Sequence, residues 1–395
     1  MRIFIGWTDI GNIAATYAKA FRALGHETFT VVWSKSRFFP DAQYDVVMYE
    51  PRETGALRKS LGMFARALRL ARAARCDLFL MFAPAVLPTQ LYYPLLKLFG
   101  KKIVTAFWGS DVRYWYAFDQ ETRALGLGDE FAPFSEYMQT RSGGSYFDKL
   151  RTIEIAERYS DLILAQPDSG QLQRRAYMRT HVPLDLALFK CNIPDRAEPL
   201  ILHAPSVRGA KGTEHILAAI DQLAREGLRF EFRLIENMPN AQLREWLSDA
   251  DILVDELYAL TVGGLSAEAM ASGTVTLVRY LPEYSKVPPG CPAVNTSQTN
   301  LVEHLREVIV NRDVRRRLAH AGRPYVERHN DHIQVARQIL DWLEPGAIRE
   351  YDFTPTFAQN FVMPPELLAR ERAETNARRQ KFFKLIFTTG ATRHD

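Results

Sequence analysis

Short apolar runs alternate along the chain with longer stretches whose apolar positions recur at helical spacing, the rhythm of an α/β protein. Residues 2–6 (RIFIG) read as a first strand, a loop from Trp7 to Asn12 holds Gly11, and 13–24 predict a helix closed by Gly25. Strands at 28–32, 45–48, 77–82, 102–107 and 161–165, with helices at 56–75 and 149–159, extend this opening into a doubly wound sheet. Residues 114–148 break the rhythm. They are rich in aromatics (Tyr114, Trp115, Tyr116, Phe118, Phe131, Phe134, Tyr137, Tyr146) and are expected to form an irregular insertion, either packed against the body or offered to a sugar or lipid headgroup. After the polar, proline-containing 192–195 the alternation starts again, with strands at 200–204, 229–235, 252–254 and 275–278 and helices at 213–226, 240–248, 300–310, 313–320 and 333–343. The expected organisation is two Rossmann-like domains, 1–192 and 193–345, then an irregular segment and a helical stretch over 346–395.

Composition narrows the class. A chain of 395 residues, 47% hydrophobic and 24% charged, is long enough for two cores. A net charge of +4 is too small to argue for nucleic acid. Cys76, Cys191 and Cys291 lie far apart without metal-ligand spacing, which suggests reduced thiols and a cytoplasmic setting. The opening MRIFIGW reads as a buried strand rather than a signal peptide, and no apolar run approaches the roughly 18 residues of a membrane span. Arg66, Arg69, Arg72 and Arg75 recur at every third position, either as a solvated face or as a basic stripe for an anionic membrane. The basic, aromatic end (Arg378, Arg379, Lys381, Phe382, Phe383, Lys384) poses the same choice.

The candidate chemistry lies in the second half. Residues 251–273 read as strand, glycine loop and helix: Ile252 to Val254, then Asp255 and Glu256, then Gly263-Gly264, then Ser266 as an N-cap, and a helix stopped by Gly273. Such a junction directs backbone N–H groups and the positive end of a helix at an anion, although ordinary strand-to-helix connections share the pattern. Glu268, one turn into the helix, is placed to take a hydroxyl of the same ligand. Arg208 and Lys211, between a strand and a helix and beside Gly209 and Gly212, suit a diphosphate. In the first half Asp111 follows a strand end, where ligands of α/β sheets collect. Gly6 and Gly11 lack the spacing of a dinucleotide fingerprint, which disfavours an NAD-dependent enzyme.

The segments HAPSVRGAKGTEHIL, DADILVDEL and GGLSAEAMASG resemble the donor domain of retaining GT-B glycosyltransferases of family 4, and GSDVR and VPLDLALF resemble the acceptor domain of the same group. The resemblance implies a GT-B fold with a C-terminal helix crossing back to the first domain, and transfer of a sugar from a nucleotide-diphosphate sugar to a hydroxyl. It implies that Arg208 and Lys211 neutralise the diphosphate, that Gly263, Gly264, Ser266, Glu256 and Asn237 belong to the donor site, and that Glu268 binds ribose. Gly11, Trp108, Asp111 and Asp185 fall on the acceptor side, Asp111 as a candidate for proton transfer. No divalent metal is implied; a glycan or lipid-linked acceptor is. Two departures stand out. Leu260 occupies the position of the family's first glutamate, for which Glu256 is the nearest substitute, and Trp108 replaces a frequent histidine. They leave a second reading open, a GT-B protein acting as a non-catalytic partner or scaffold.

Overall fold

The computed structural model describes residues 1–49, 62, 65–66, 68–82, 92–141, 145–166, 169–347, 357 and 360–391. The first sheet contains β1 (Arg2–Trp7), β2 (Glu27–Val32), β3 (Val46–Val47), β4 (Leu78–Phe82), β5 (Lys102–Phe107), β6 (Leu162–Ala165) and β7 (Met178–Arg179). All pairings are parallel, in the order β3-β2-β1-β4-β5-β6-β7. Such strands are covered on both faces, so they read as unbroken apolar runs; every residue of β4 and β6 is buried. Helix α1 (Ile13–Ala23) covers one face through Tyr17, Ala18 and Phe21.

The second sheet is built from β8 (Leu200–His203), β9 (Glu231–Leu234), β10 (Ile252–Val254), β11 (Val275–Val278) and β12 (Val294–Asn295), in the order β12-β11-β10-β8-β9 and again parallel. Strand order reverses between neighbours β8 and β10 in this sheet and between β1 and β4 in the first. A crevice opens at such a switch point, because the connections on its two sides leave toward opposite faces. The loops after β1, β8 and β10 therefore meet between the domains.

Three regions depart from the sequence reading. The described residues of 114–148 are mostly helical rather than irregular: α3 (Trp115–Ala124), α4 (Gly128–Arg141) and the start of α5 (Tyr146–Tyr159) follow α2 (Tyr92–Leu98) of the preceding connection. Phe131, Phe134 and Met138 share one face of α4, and that face packs on Tyr258 and Leu260 of the second domain. The return to the first domain also comes before 345. Leu184 pairs with Asp331, Leu184 N–H donates to Asn330 O at 2.7 Å, and α13 (His332–Leu343) lies in the core beside α1. Its preceding helix, α12 (Arg312–His329), comes after α10 (Pro282–Ser285) and α11 (Leu301–Val310), is the last of the second domain and runs well past the expected 313–320. The final helix, α14 (Pro365–Ala391), returns to the first domain, where Glu371 accepts from Tyr114 Oη and Tyr146 N, each at 2.9 Å. Side chains of Arg379 and of Lys381, Phe382, Phe383 and Lys384 lie outside the described residues, as does most of 347–359 and part of the 56–75 helix.

Candidate functional site

The cleft between the sheets holds a cavity of about 530 Å³ lined from both domains. Its second-domain wall begins after β8, where α6 (Arg208–Lys211) is followed by Gly212 at φ +72 and by α7 (Thr213–Arg225). A Cβ on Gly212 would stand 3.1 Å from Leu257 Cβ, and the left-handed φ itself strains any larger residue in this turn. Lys211 Nζ lies 2.9 Å from Asp255 and 3.0 Å from Glu256 at the end of β10. Burial opposes its charge, but the two carboxylates more than offset this and hold the ammonium above its ordinary value. Asp255 is fully buried and also accepts from Ser266 Oγ at 2.7 Å, so it fixes both lysine and helix; Glu256 lines the cavity.

Helix α9 (Gly264–Ser272) starts at the cavity with Gly263 as its N-cap and no side-chain cap bond. Its first N–H groups have no partner in their own helix and point outward, toward the cleft. A Cβ on Gly263 would stand 2.9 Å from Glu256 Oε1, so the loop and that carboxylate are in contact. Glu268 follows one turn later and accepts from Asn240 Nδ2 at 2.9 Å, at the start of α8 (Asn240–Asp249). Burial pushes the Glu268 carboxyl up to about 7, while Asn240 and Arg244 favour its charged form.

The first-domain wall is mostly apolar, with Ile10, Ile13, Phe38, Phe39, Trp108 and Phe134. Phe38 O accepts from Asn240 N at 2.8 Å, so the β2–β3 connection reaches across to α8. The chain turns through left-handed conformations at Gly11 (φ +61) and Asn12 (φ 65) before α1, and this carries Gly11 to the cavity. The loop after β5 is tied from within: Asp111 accepts from Trp108 N at 3.2 Å and Gly109 N at 2.9 Å, and buried Lys149 donates to Ser110 O at 2.6 Å. Burial raises the Asp111 carboxyl above its usual value.

Of the residues singled out from sequence, Lys211, Glu256, Glu268, Gly263, Gly264, Asn237, Gly11 and Trp108 line this one cavity. Four do not. Arg208 is exposed and donates to Glu236 at 3.0 and 2.7 Å. Ser266 is no N-cap, because the helix begins two residues earlier, and its hydroxyl is spent on Asp255. Asp111 is turned into its own loop, and Asp185 is buried at the crossing between domains, paired with Lys19. Leu260 is fully buried among Phe118, Phe131 and Tyr258. Arg113, Asn240, Phe38 and Phe39 were not singled out; the Phe38-Phe39 pair beyond a strand end and the arginine closing GSDVR are the signals that point to them. Among the described residues no group of three or more His, Cys, Asp or Glu side chains is arranged for a metal ion.

Residues 213–341 match the model of a family described as glycosyl transferase-like. Comparison with curated proteins finds no match. Among solved structures, HepE of Anabaena in complex with UDP and glucose is similar at 14% identity and a TM-score of 0.56, covering 87% of this chain and 99% of that one. Sucrose-phosphate synthase of Thermosynechococcus elongatus is similar at 16% identity and a TM-score of 0.54, covering 86% and 96%. An alpha-glucosyltransferase in complex with UDP-glucose and DNA containing an abasic site gives 14%, 0.56, 87% and 99%. At these identities the likeness is one of fold, shared by nearly the whole of each relative. Two Rossmann-like domains and a C-terminal helix returning to the first give the chain a GT-B fold, and within it residues 213–341 are similar to the glycosyl transferase-like model.

Proposed function

We propose that the protein is a retaining glycosyltransferase that moves a sugar from a nucleotide-diphosphate sugar to a hydroxyl acceptor. The observation that carries this reading is the meeting of Lys211, Glu268 and the Gly263–Gly264 helix start in one interdomain cavity. In this reading ribose hydroxyls donate to Glu268, and the diphosphate lies over the start of α9 and against Lys211. An incoming phosphate exchanges with Glu256 at the ammonium, which frees that carboxylate for a sugar hydroxyl in place of the glutamate missing at Leu260. The bond between the anomeric carbon and the diphosphate oxygen breaks. The acceptor hydroxyl oxygen bonds to that carbon on the same face, and its proton leaves on the departing phosphate. Lys211 and the helix N–H groups stabilise the charge that gathers on the leaving group, which makes a divalent metal unnecessary in this proposal. UDP and UDP-glucose in the HepE structures support the donor class.

The acceptor is proposed to be a glycan or lipid-linked precursor of cell-surface polysaccharide or glycolipid, met in the cytoplasm at an anionic membrane. Exposed Arg69, Arg72 and Arg75 support the membrane contact, and no described helix is long and apolar enough to span a bilayer. Leu260 in the core, and a Lys211 neutralised by two carboxylates, favour a second reading: a GT-B partner that binds without turnover. Incubation with UDP-, GDP- and ADP-sugars, followed by NMR of the anomeric signal, separates the two. Donor consumption with retained configuration supports the first; saturable nucleotide binding with no consumption supports the second.

A further inference from the structure

The connection between β2 and β3 belongs to the first domain but ends against the wall of the second. Asn240 N donates to Phe38 O at 2.8 Å, and the Asn240 side chain donates to Glu268 at 2.9 Å. Phe38 is thus one residue removed from the carboxylate proposed to bind ribose. The connection is folded tightly on itself: Phe38 N donates to Ser36 Oγ at 3.3 Å, Phe39 N to Ser36 O at 3.1 Å and Ala42 N to Phe39 O at 3.2 Å. Phe38 is half-buried and lines the cavity, and the Arg37 guanidinium lies over one face of its ring, 4.7 Å from the centre. A cation on one face steadies the ring and leaves the opposite face for a flat ligand. Across the cleft Ile235, Met238 and Leu243 line the same cavity, and the chain between β9 and α8 turns at Asn237 (φ 55), which lines it too. A slot with an aromatic ring on one side, aliphatic side chains on the other and an amide among them suits a planar heterocycle, whose faces are apolar and whose edge hydrogen-bonds.

Resting on the glycosyltransferase reading, we propose that the donor nucleobase is held across the domain boundary, with Phe38 of the first domain stacked on one face and Ile235 and Leu243 of the second behind the other. The order of groups in a nucleoside diphosphate agrees. The diphosphate leaves the ribose from C5′ and the base from C1′, on the opposite side. With the diphosphate at Lys211 and α9 and the ribose at Glu268, the base extends toward Asn240 and the start of α8, where Phe38 lies. Phe38 thereby acts in nucleotide selection from the domain that receives the acceptor.

Calorimetric titration of the wild-type protein, Phe38→Ala and Phe38→Tyr with UDP, GDP and ADP tests this, with pyrophosphate and ribose 5-phosphate as probes that lack a base. Phe38→Ala is expected to lose about tenfold or more in affinity for the nucleoside diphosphate that the wild type binds most tightly, the worth of one base stacked on an aromatic ring. Phe38→Tyr keeps the ring and should stay within about threefold, and neither substitution should weaken either base-free probe. In Phe38→Trp, that nucleotide should quench the introduced indole and pyrophosphate should not. This variant retains the ring and the backbone bond to Asn240, so its quenching decides the matter if Phe38→Ala does not fold. Undiminished nucleotide affinity in Phe38→Ala, an equal loss for nucleotide and pyrophosphate, or an introduced indole that no nucleotide quenches overturns the proposal. Nucleotide binding that depends on Lys211 but not on Phe38 defeats this proposal alone; a wild-type protein that binds no nucleoside diphosphate defeats the glycosyltransferase reading and this proposal with it.

Discussion

At the scale of single residues, Glu268 carries the most chemistry in its burial. Its carboxyl is pushed up to about 7, so the folded protein prefers it protonated more than the unfolded chain does. The sign follows: the buried charge costs stability above that value, and the cost disappears as pH falls through it toward the ordinary carboxylate range. Glu268→Gln is therefore expected to raise Tm at about pH 8 and to change it little at about pH 5. In a ribose site the charged form is the acceptor for hydroxyl groups, so affinity for a nucleoside diphosphate should rise with pH through about 7. The Gln variant should bind weakly with no such step. Calorimetry across that range checks both, and a wild-type affinity flat in pH contradicts the ribose assignment. Neighbouring Asp255 differs: wholly buried and bonded to Lys211 and Ser266, it fixes the lysine and α9 without lining the cavity.

At the scale of elements, the inserted pair α3–α4 explains why position 260 is leucine. The face of α4 that carries Phe131 and Phe134 closes on the loop after β10, and Tyr258 stacks on Phe134 with ring centres 6.0 Å apart. Leu260→Glu places a carboxylate in that cluster and is expected to cost about 3 kcal/mol or more. Denaturant unfolding measures this, and no gain of activity should accompany it; a stable, more active variant would show that the loop can turn the introduced carboxylate outward. The parallel strands were legible because burial on both faces leaves nearly unbroken apolar runs, as in β4 and β6. The insertion was not, because the partner of its apolar face lies in the other domain, over a hundred positions along the chain. Ser266 misled for a local reason: the glycine at 263 caps the helix with backbone alone, so the first polar side chain is not the cap. Arg208 is held by Glu236, and nothing in the sequence places that carboxylate beside it.

For the molecule as a whole, side chains and backbone join the two walls directly. Arg279 and Glu130 form an interdomain ion pair, with a second contact at 3.1 Å, and Tyr284 Oη donates to Glu121 at 2.7 Å. Asn240 N meets Phe38 O at the other end of the cleft. The cavity thus has Lys211, Glu256, Glu268 and the start of α9 on one wall and a largely aromatic wall opposite. The proposed chemistry requires the second-domain wall to take a nucleoside diphosphate. The most direct measurement is calorimetric titration of the wild-type protein and Lys211→Ala with UDP, GDP and ADP. Saturable binding of at least one of them by the wild type is expected, with a loss of about 100-fold in the variant. Binding that survives Lys211→Ala undiminished, or no binding to a folded wild-type protein, would contradict it.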